Sequence, residues 1–282
     1  MGRQNGCVDL GRLPLLGRVS ARRRPVVLLA VVLVLVLGIG AGLFAVFGGG
    51  HRSPVAQQTQ PGTVVLVPGY GGNTGSLAPL ADRLRSVGRN AVVVSLPGQG
   101  NGDFIEQADA LGAAVTRVLD GGAPSVDLIG YSAGGVVVRL WLSRTADARS
   151  VRRVVTLGSP LHGTTLAGVG STFVPGACPT ACQQLVPGSA LLKQLDAAPV
   201  PVPWLSVWTR DDQTVTPPDS ARLAGAVNVV VQDVCADARV QHGQLPSDPL
   251  VVGLVLRALG TATVTEPGPA DCAPLRQAGA DR

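Results

Sequence analysis

Short runs of β-branched and aliphatic residues recur along the chain at Thr63–Val67, Ala91–Ser95, Val126–Gly130, Val151–Leu157, Val202–Trp208 and Val227–Val231. Each is nearly continuous in its apolar character, the signature of strands covered on both faces. Between and after them, Ser76–Val87, Phe104–Leu119, Gly134–Ser143 and Asp248–Leu259 carry apolar residues at helical spacing. Strands alternating with helices predict an α/β fold with a mostly parallel sheet of about six strands and helices on both faces. The predicted domain covers residues 63–265, a size that one core supports. No internal repeat interrupts it. Residues 48–62, rich in Gly, Pro and Gln, read as a linker, and residues 266–282 as a loose C-terminal tail.

One apolar stretch has neither period. Val26–Phe47 is an unbroken run of 22 apolar or glycine residues, which as a helix spans roughly 33 Å against a hydrocarbon core of about 30 Å. It predicts one transmembrane helix over residues 26–47. Residues 1–25 hold six arginines against Asp9 and so carry the whole formal charge of +5, while the rest has 17 basic and 17 acidic side chains. The arginines place residues 1–25 in the cytoplasm and the body outside, as a single-pass protein of the cell membrane. The alternative is a cleaved signal peptide and a secreted protein. The run is long for a signal peptide, and Ser53-Pro-Val-Ala56 puts proline where a small residue is wanted. A neutral body excludes nucleic acid as a partner on charge grounds.

Export bears on the cysteines. Cys7 stands alone on the cytoplasmic side, and Cys178, Cys182, Cys235 and Cys272 form an even set, which favours disulfides in an oxidising compartment. Four cysteines allow three connectivities, and the most local, Cys178–Cys182 with Cys235–Cys272, is expected. Zinc is the rival for a CxxxC pair, but the second pair lacks such spacing; no metal and no cofactor is expected.

Gly130-Tyr131-Ser132-Ala133-Gly134 falls where a predicted strand hands over to a predicted helix. In that context a Gly-x-Ser-x-Gly turn exposes a serine hydroxyl at the carboxyl end of the sheet, a nucleophile elbow; elsewhere it is an ordinary glycine-rich turn. Such a serine needs a base. Of three histidines, His51 belongs to the linker, and His162 has before it only Asp147, which is not at a strand end. His242 has Asp211 and Asp212 directly after the strand ending at Trp208, in the order serine, acid, histidine. The candidates are thus Ser132, His242 and one of the two aspartates, whose bland reading is a solvated turn. Val64-Val-Leu-Val-Pro-Gly-Tyr-Gly-Gly72 runs a strand into a glycine-rich loop, so the backbone N–H groups of Tyr70 and Ala133 are candidate oxyanion donors. A phosphate loop would require GxxxxGK[ST], which is absent from this loop.

Asp212-Gln-Thr-Val-Thr-Pro217 resembles the D-x-x-V-x-P pattern of hydrolases, in which the aspartate is catalytic; this favours Asp212 over Asp211. Thr156-Leu-Gly-Ser-Pro-Leu-His-Gly-Thr164 and Cys178-Pro-Thr-Ala-Cys-Gln-Gln-Leu-Val-Pro-Gly-Ser189 resemble segments of small exported bacterial lipases and esterases of the α/β-hydrolase superfamily, of the class 2 lipase kind. The resemblance runs from about Thr63 to Gly260. It implies a minimal α/β-hydrolase cleaving carboxylic esters, of lipids or small molecules, through an acyl-enzyme on Ser132, with His162 structural. Pro68 departs from the histidine usual before the oxyanion glycine. An acyltransferase or thioesterase would use the same residues, and a membrane-tethered binding module without catalysis is the reading from another class.

Overall fold

The computed structural model describes residues 29, 32–36, 55–168 and 178–280. The chain divides into two units, Met1–Arg52 and Ser53–Arg282. In the first, Leu29 and residues 32–36 are helical and exposed. The expected Arg-rich segment 1–25, most of the expected span 26–47, Cys7 and His51 lie outside the described residues. Among the described residues no helix is long and apolar enough to cross a membrane.

The second unit is built on six strands, all parallel: β1 (Thr63–Val67), β2 (Ala91–Val93), β3 (Val126–Tyr131), β4 (Val151–Leu157), β5 (Trp204–Trp208) and β6 (Val227–Val230), in the order β2-β1-β3-β4-β5-β6. All six expected runs are strands, Thr63–Val67 and Val151–Leu157 with the ends expected and the other four with altered ends. β5 starts at Trp204 because Pro201 and Pro203 have no N–H to give a ladder. Alternate residues enter two cores. Val64, Leu66, Ile129, Val155, Leu157 and Val207 face one, and Val65, Val67, Leu128 and Val154 the other.

The expected helices are present as α1 (Ala78–Ser86), α2 (Phe104–Asp120), α3 (Ala133–Arg144) and α7 (Pro249–Ala258). α2 begins where the Asp103 carboxylate accepts the Ile105 N–H at 2.8 Å, and buries Phe104, Ala108, Leu111 and Val115 along one face. Burial along nearly all of α3 and α7 matches their dense apolar sequence. Among the described residues, short helices that were not expected include α4 (Thr180–Gln184), α5 (Ala190–Asp196) and α6 (Val231–Val234).

The expected tail is pinned at Cys272, and residues 267–280 are packed and not loose. Cys272–Ala280 form a helix, α8, packed on α7. The contact is backbone-close: a Cβ on Gly253 would lie 2.0 Å from the Leu275 carbonyl oxygen, and one on Gly279 would lie 1.8 Å from that of Pro249. Both disulfides join the expected partners, Cys178–Cys182 and Cys235–Cys272, each with Cα atoms 5.2 Å apart, and the second ties α8 to the chain after α6.

The start of the domain is held too. Ala56 N–H donates to the Arg149 carbonyl, and the Gln58 side chain bonds both Arg152 and Arg153. Those arginines of β4 are buried, and with Arg89 they bind the carbonyls of residues 258–261 at the end of α7, with the Asp127 carboxylate between Arg89 and Arg152.

Candidate active site

β3 ends in the glycine-flanked turn, and Ser132 stands there with φ 52° and ψ −129°, a left-handed conformation costly for a residue with a Cβ. Two close approaches hold it. A Cβ on Gly134 would lie 2.3 Å from the Val67 carbonyl oxygen, and one on Gly69 would lie 2.9 Å from the Ser132 Cβ. The elbow is therefore wedged against the loop after β1, and larger residues at either glycine would force serine and loop apart.

His242 opens a 3-10 turn before α7 and reaches back to the elbow. Its Nε2 lies 3.0 Å from Ser132 Oγ and its Nδ1 lies 2.7 Å from Asp212 Oδ2, all three side chains being buried. A carboxylate can only accept, so Nδ1 carries the proton and Nε2 is left to accept from the serine hydroxyl. Asp212 is itself positioned: its Oδ1 accepts the Thr214 and Val215 N–H groups at 2.9 and 2.8 Å. This is the local reason for the D-x-x-V-x-P spacing, and Val215 is buried beneath the turn. Asp211 points elsewhere, its Oδ2 accepting from Gln232 at 3.3 Å. The structure thus brings Asp212, not Asp211, to His242.

His162 lies apart. Its Nδ1 is 2.9 Å from Asp196 at the end of α5 and its Nε2 is 2.9 Å from the Arg222 carbonyl, so both nitrogens serve packing contacts. Neither faces Ser132.

Two residues beside His242 were not singled out from sequence. Tyr131 packs its ring 5.3 Å from the imidazole and donates its hydroxyl to the His242 carbonyl at 3.3 Å. Burial first, and the charge of Asp212 second, push its pKa up to about 12, which keeps the phenol neutral and able to donate. Gly158, after β4, has φ 53°, and a Cβ there would lie 3.1 Å from His242 Nδ1 and 3.2 Å from Asp212 Oδ2. A glycine after a strand, within the quoted Thr156–Thr164 segment, was the available signal.

A cleft of about 240 Å³ opens at Ser132. Tyr70 and Ala133 line it with Ser132, and Pro160, Leu166, Ala167, Cys182, Leu185 and Val215 give it apolar walls, with Thr164 and Thr214 completing the lining. No charged side chain is among these residues. The Cys178–Cys182 disulfide therefore braces one wall.

This architecture, a parallel sheet with helices on both faces and a serine on a strained turn at the carboxyl end of β3, is that of the α/β-hydrolase fold. Residues 62–177 match the family model described as alpha/beta hydrolase fold, and the chain has that fold. A comparison with curated proteins finds no match. Among solved structures, the mature form of Bacillus licheniformis lipase BlEst2 is similar at 18% identity and a TM-score of 0.60, over 75% of this chain and 96% of that one. Aspergillus fumigatus lipase B is similar at 18% identity and a TM-score of 0.60, over 81% of this chain and 64% of its own length. At these identities the likeness is one of fold.

Proposed function

We propose that the protein is a serine hydrolase of carboxylic esters, with Ser132 as nucleophile, His242 as general base and acid, and Asp212 as the group that orients and charges the imidazole. The observation that carries this is the continuous hydrogen-bonded line from Ser132 Oγ through His242 to Asp212 at 3.0 and 2.7 Å. In the reaction Oγ attacks the ester carbonyl while its proton passes to Nε2. The carbonyl oxygen, now negative, is met by the N–H groups of Tyr70 and Ala133, neither of which has a hydrogen-bond partner among the described residues. Collapse expels the alcohol, which takes the proton from His242, and water then attacks the acyl-enzyme by the same route in reverse.

The apolar cleft favours uncharged acyl groups, and the lipases that share the fold support lipid or small esters as the substrate class. Acyl transfer or thioester cleavage would use the same groups and is distinguished by acceptor. The disulfides favour an oxidising, extracytoplasmic site of action, and the run 26–47 is the segment that would tether the domain to the membrane. Full-length protein should then sediment with membranes and resist high salt; a soluble mature form beginning near Gln57 would show a cleaved signal instead.

The central test is a panel of p-nitrophenyl esters with the wild type, Ser132→Ala and His242→Ala. Each variant should lose turnover by on the order of 10⁶-fold, and the double variant little more, because the two act as a unit. Asp212→Asn should retain more activity than either, and Asp211→Asn should be nearly wild type. A folded His162→Ala that no longer labels with a fluorophosphonate, beside a His242→Ala that does, would sink the assignment.

A further inference from the structure

The loop that carries the Tyr70 N–H is an unpromising place for a fixed donor. Three of the four residues Gly69–Gly72 are glycines, and glycine leaves the backbone free to move. The loop is nonetheless turned. Gly72 N–H donates to the Gly69 carbonyl at 3.0 Å and Gly71 has φ 84°, the features of a type II turn with Tyr70 and Gly71 at its centre. The soft motion of such a turn is rotation of the central Tyr70–Gly71 peptide, which swings the Tyr70 carbonyl and the Gly71 N–H and opens the turn; the Tyr70 N–H, in the preceding Gly69–Tyr70 peptide, keeps its direction only while the turn stays formed.

A second loop opposes that motion. Gly98, Gln99 and Gly100 all have positive φ, at 57°, 53° and 68°, and Gln99 adopts this left-handed geometry despite its side chain. The curl sets backbone against backbone: a Cβ on Gly72 would lie 2.8 Å from the Gln99 carbonyl carbon, and one on Gly100 would lie 2.7 Å from Gly72 N. It also delivers the next residue, Asn101, whose Oδ1 accepts the Gly71 N–H at 3.1 Å. That N–H belongs to the central peptide of the turn. The Asn101 carbonyl meanwhile accepts the Ala181 N–H at 3.2 Å, in the helix that brings Cys182 to the cleft.

We propose that Asn101 is a positioning residue for the oxyanion donor: by holding the Gly71 N–H it keeps the Gly69–Gly72 turn formed, and with it the Gly69–Tyr70 peptide whose N–H meets the reacting carbonyl oxygen. The proposal rests on the ester-hydrolase reading above. Removing the acceptor leaves the nucleophile, the base and the cleft walls in place, so the loss falls on the transition state and not on substrate binding.

The test uses Asn101→Ala and Asn101→Leu, the second keeping the bulk without the acceptor, on p-nitrophenyl butyrate and its thionoester analogue, in which sulfur replaces the carbonyl oxygen. Sulfur accepts hydrogen bonds weakly, so thionoester turnover depends little on the oxyanion donors. Both variants should lower kcat for the oxygen ester about tenfold, a fraction of the 10²–10³ that a whole donor contributes, with KM unchanged and thionoester turnover within about twofold of wild type. Equal losses on both substrates, a change in KM alone, an unchanged kcat, or failure of both variants to fold would overturn the assignment. Ser132→Ala, assayed alongside, separates the two levels: if it matches the wild type, the hydrolase reading itself falls. If it is inactive while the Asn101 variants keep wild-type kcat, only the positioning role falls.

Discussion

Asp127→Asn tests how the base of the sheet is held. The Asp127 side chain is fully buried, and its Oδ2 accepts from Arg89 at 2.5 Å and from Arg152 at 2.6 Å. Arg152 is equally buried, and its other partners are the neutral carbonyls of Gln58, Leu259 and Gly260. Those carbonyls satisfy its hydrogens but do not balance its charge. Arg153 lies alongside, its own pKa pushed down by burial first and by Arg152 second, so Asp127 stands alone against three cations. The asparagine keeps the shape and one acceptor, removes the charge, and puts an NH2 group in place of Oδ1, which is buried and without a partner. If hydrogen bonding were the whole interaction, the change would amount to about 1 kcal/mol. If charge balance dominates, the cost is about 3–5 kcal/mol, lowering Tm by roughly 6–20 °C in a domain of this size. The three tryptophans at 141, 204 and 208 are all buried and report urea unfolding by fluorescence. The midpoint should fall with an unchanged slope. Asp127→Asn with Arg152→Met should then be less damaging than the two singles added, by about 2 kcal/mol. A single variant within about 1 kcal/mol of wild type, or strict additivity, would refute the charge argument. Turnover per folded molecule should be unchanged, because Asp127 and Arg152 sit at the starts of β3 and β4 and Ser132 follows the end of β3.

Gly158→Ala should lower kcat by about tenfold or more through displacement of His242 and Asp212, and destabilise the protein by about 1–2 kcal/mol through its left-handed backbone; a wild-type kcat would show that the imidazole tolerates the methyl. Asp103→Ala removes the cap of α2 and should cost about 1 kcal/mol at neutral pH. Hydrogen bonds from Gln184 first, then from the Ile105 N–H, hold the Asp103 pKa below its ordinary value, so that stability is present above the unfolded pKa and lost as pH falls through the folded one. The gap between variant and wild type in urea titrations should therefore close on acidification, and a gap constant down to about pH 2 would contradict it. Cys235→Ser should cost about 2–5 kcal/mol in urea titrations by freeing α8, whereas thiol titration of the denatured wild-type residues 55–280 should find none free.

What could be read from the sequence was what is local or periodic. The six strands announce themselves as β-branched runs because both faces of the sheet are covered. The serine is legible because the glycines that permit a tight turn flank it between a strand and a helix. His242 and Asp212 are far apart in sequence, yet each carries a local mark: position directly after a strand for the aspartate, and the shortage of other histidines for the base. The unread parts are contacts with no local mark. Arg152 and Arg153 would ordinarily suggest a solvated strand end; they are buried because the carbonyls ending α7, some hundred residues later, need donors. α8 offers little apolar periodicity, Leu275 being its one buried residue, and is held by glycine packing and a disulfide.

The same distinction explains where function can hide in this chain. Nucleophile, base and acid must be particular residue types, so chemistry forces them to show. The groups that pack around them or hold the loop beside them need only an acceptor, a ring or a missing Cβ at the right place: Asn101 bonds the Gly71 N–H, Tyr131 stacks near His242, and Gly158 leaves room beside His242 and Asp212. Asn101 meets Gly71 across 30 positions of sequence, from a run that carries no motif. Only the curl of Gly98–Gly100 brings the two together. Positioning residues of this kind follow from the geometry of the fold, and a motif that names the reacting groups leaves them out.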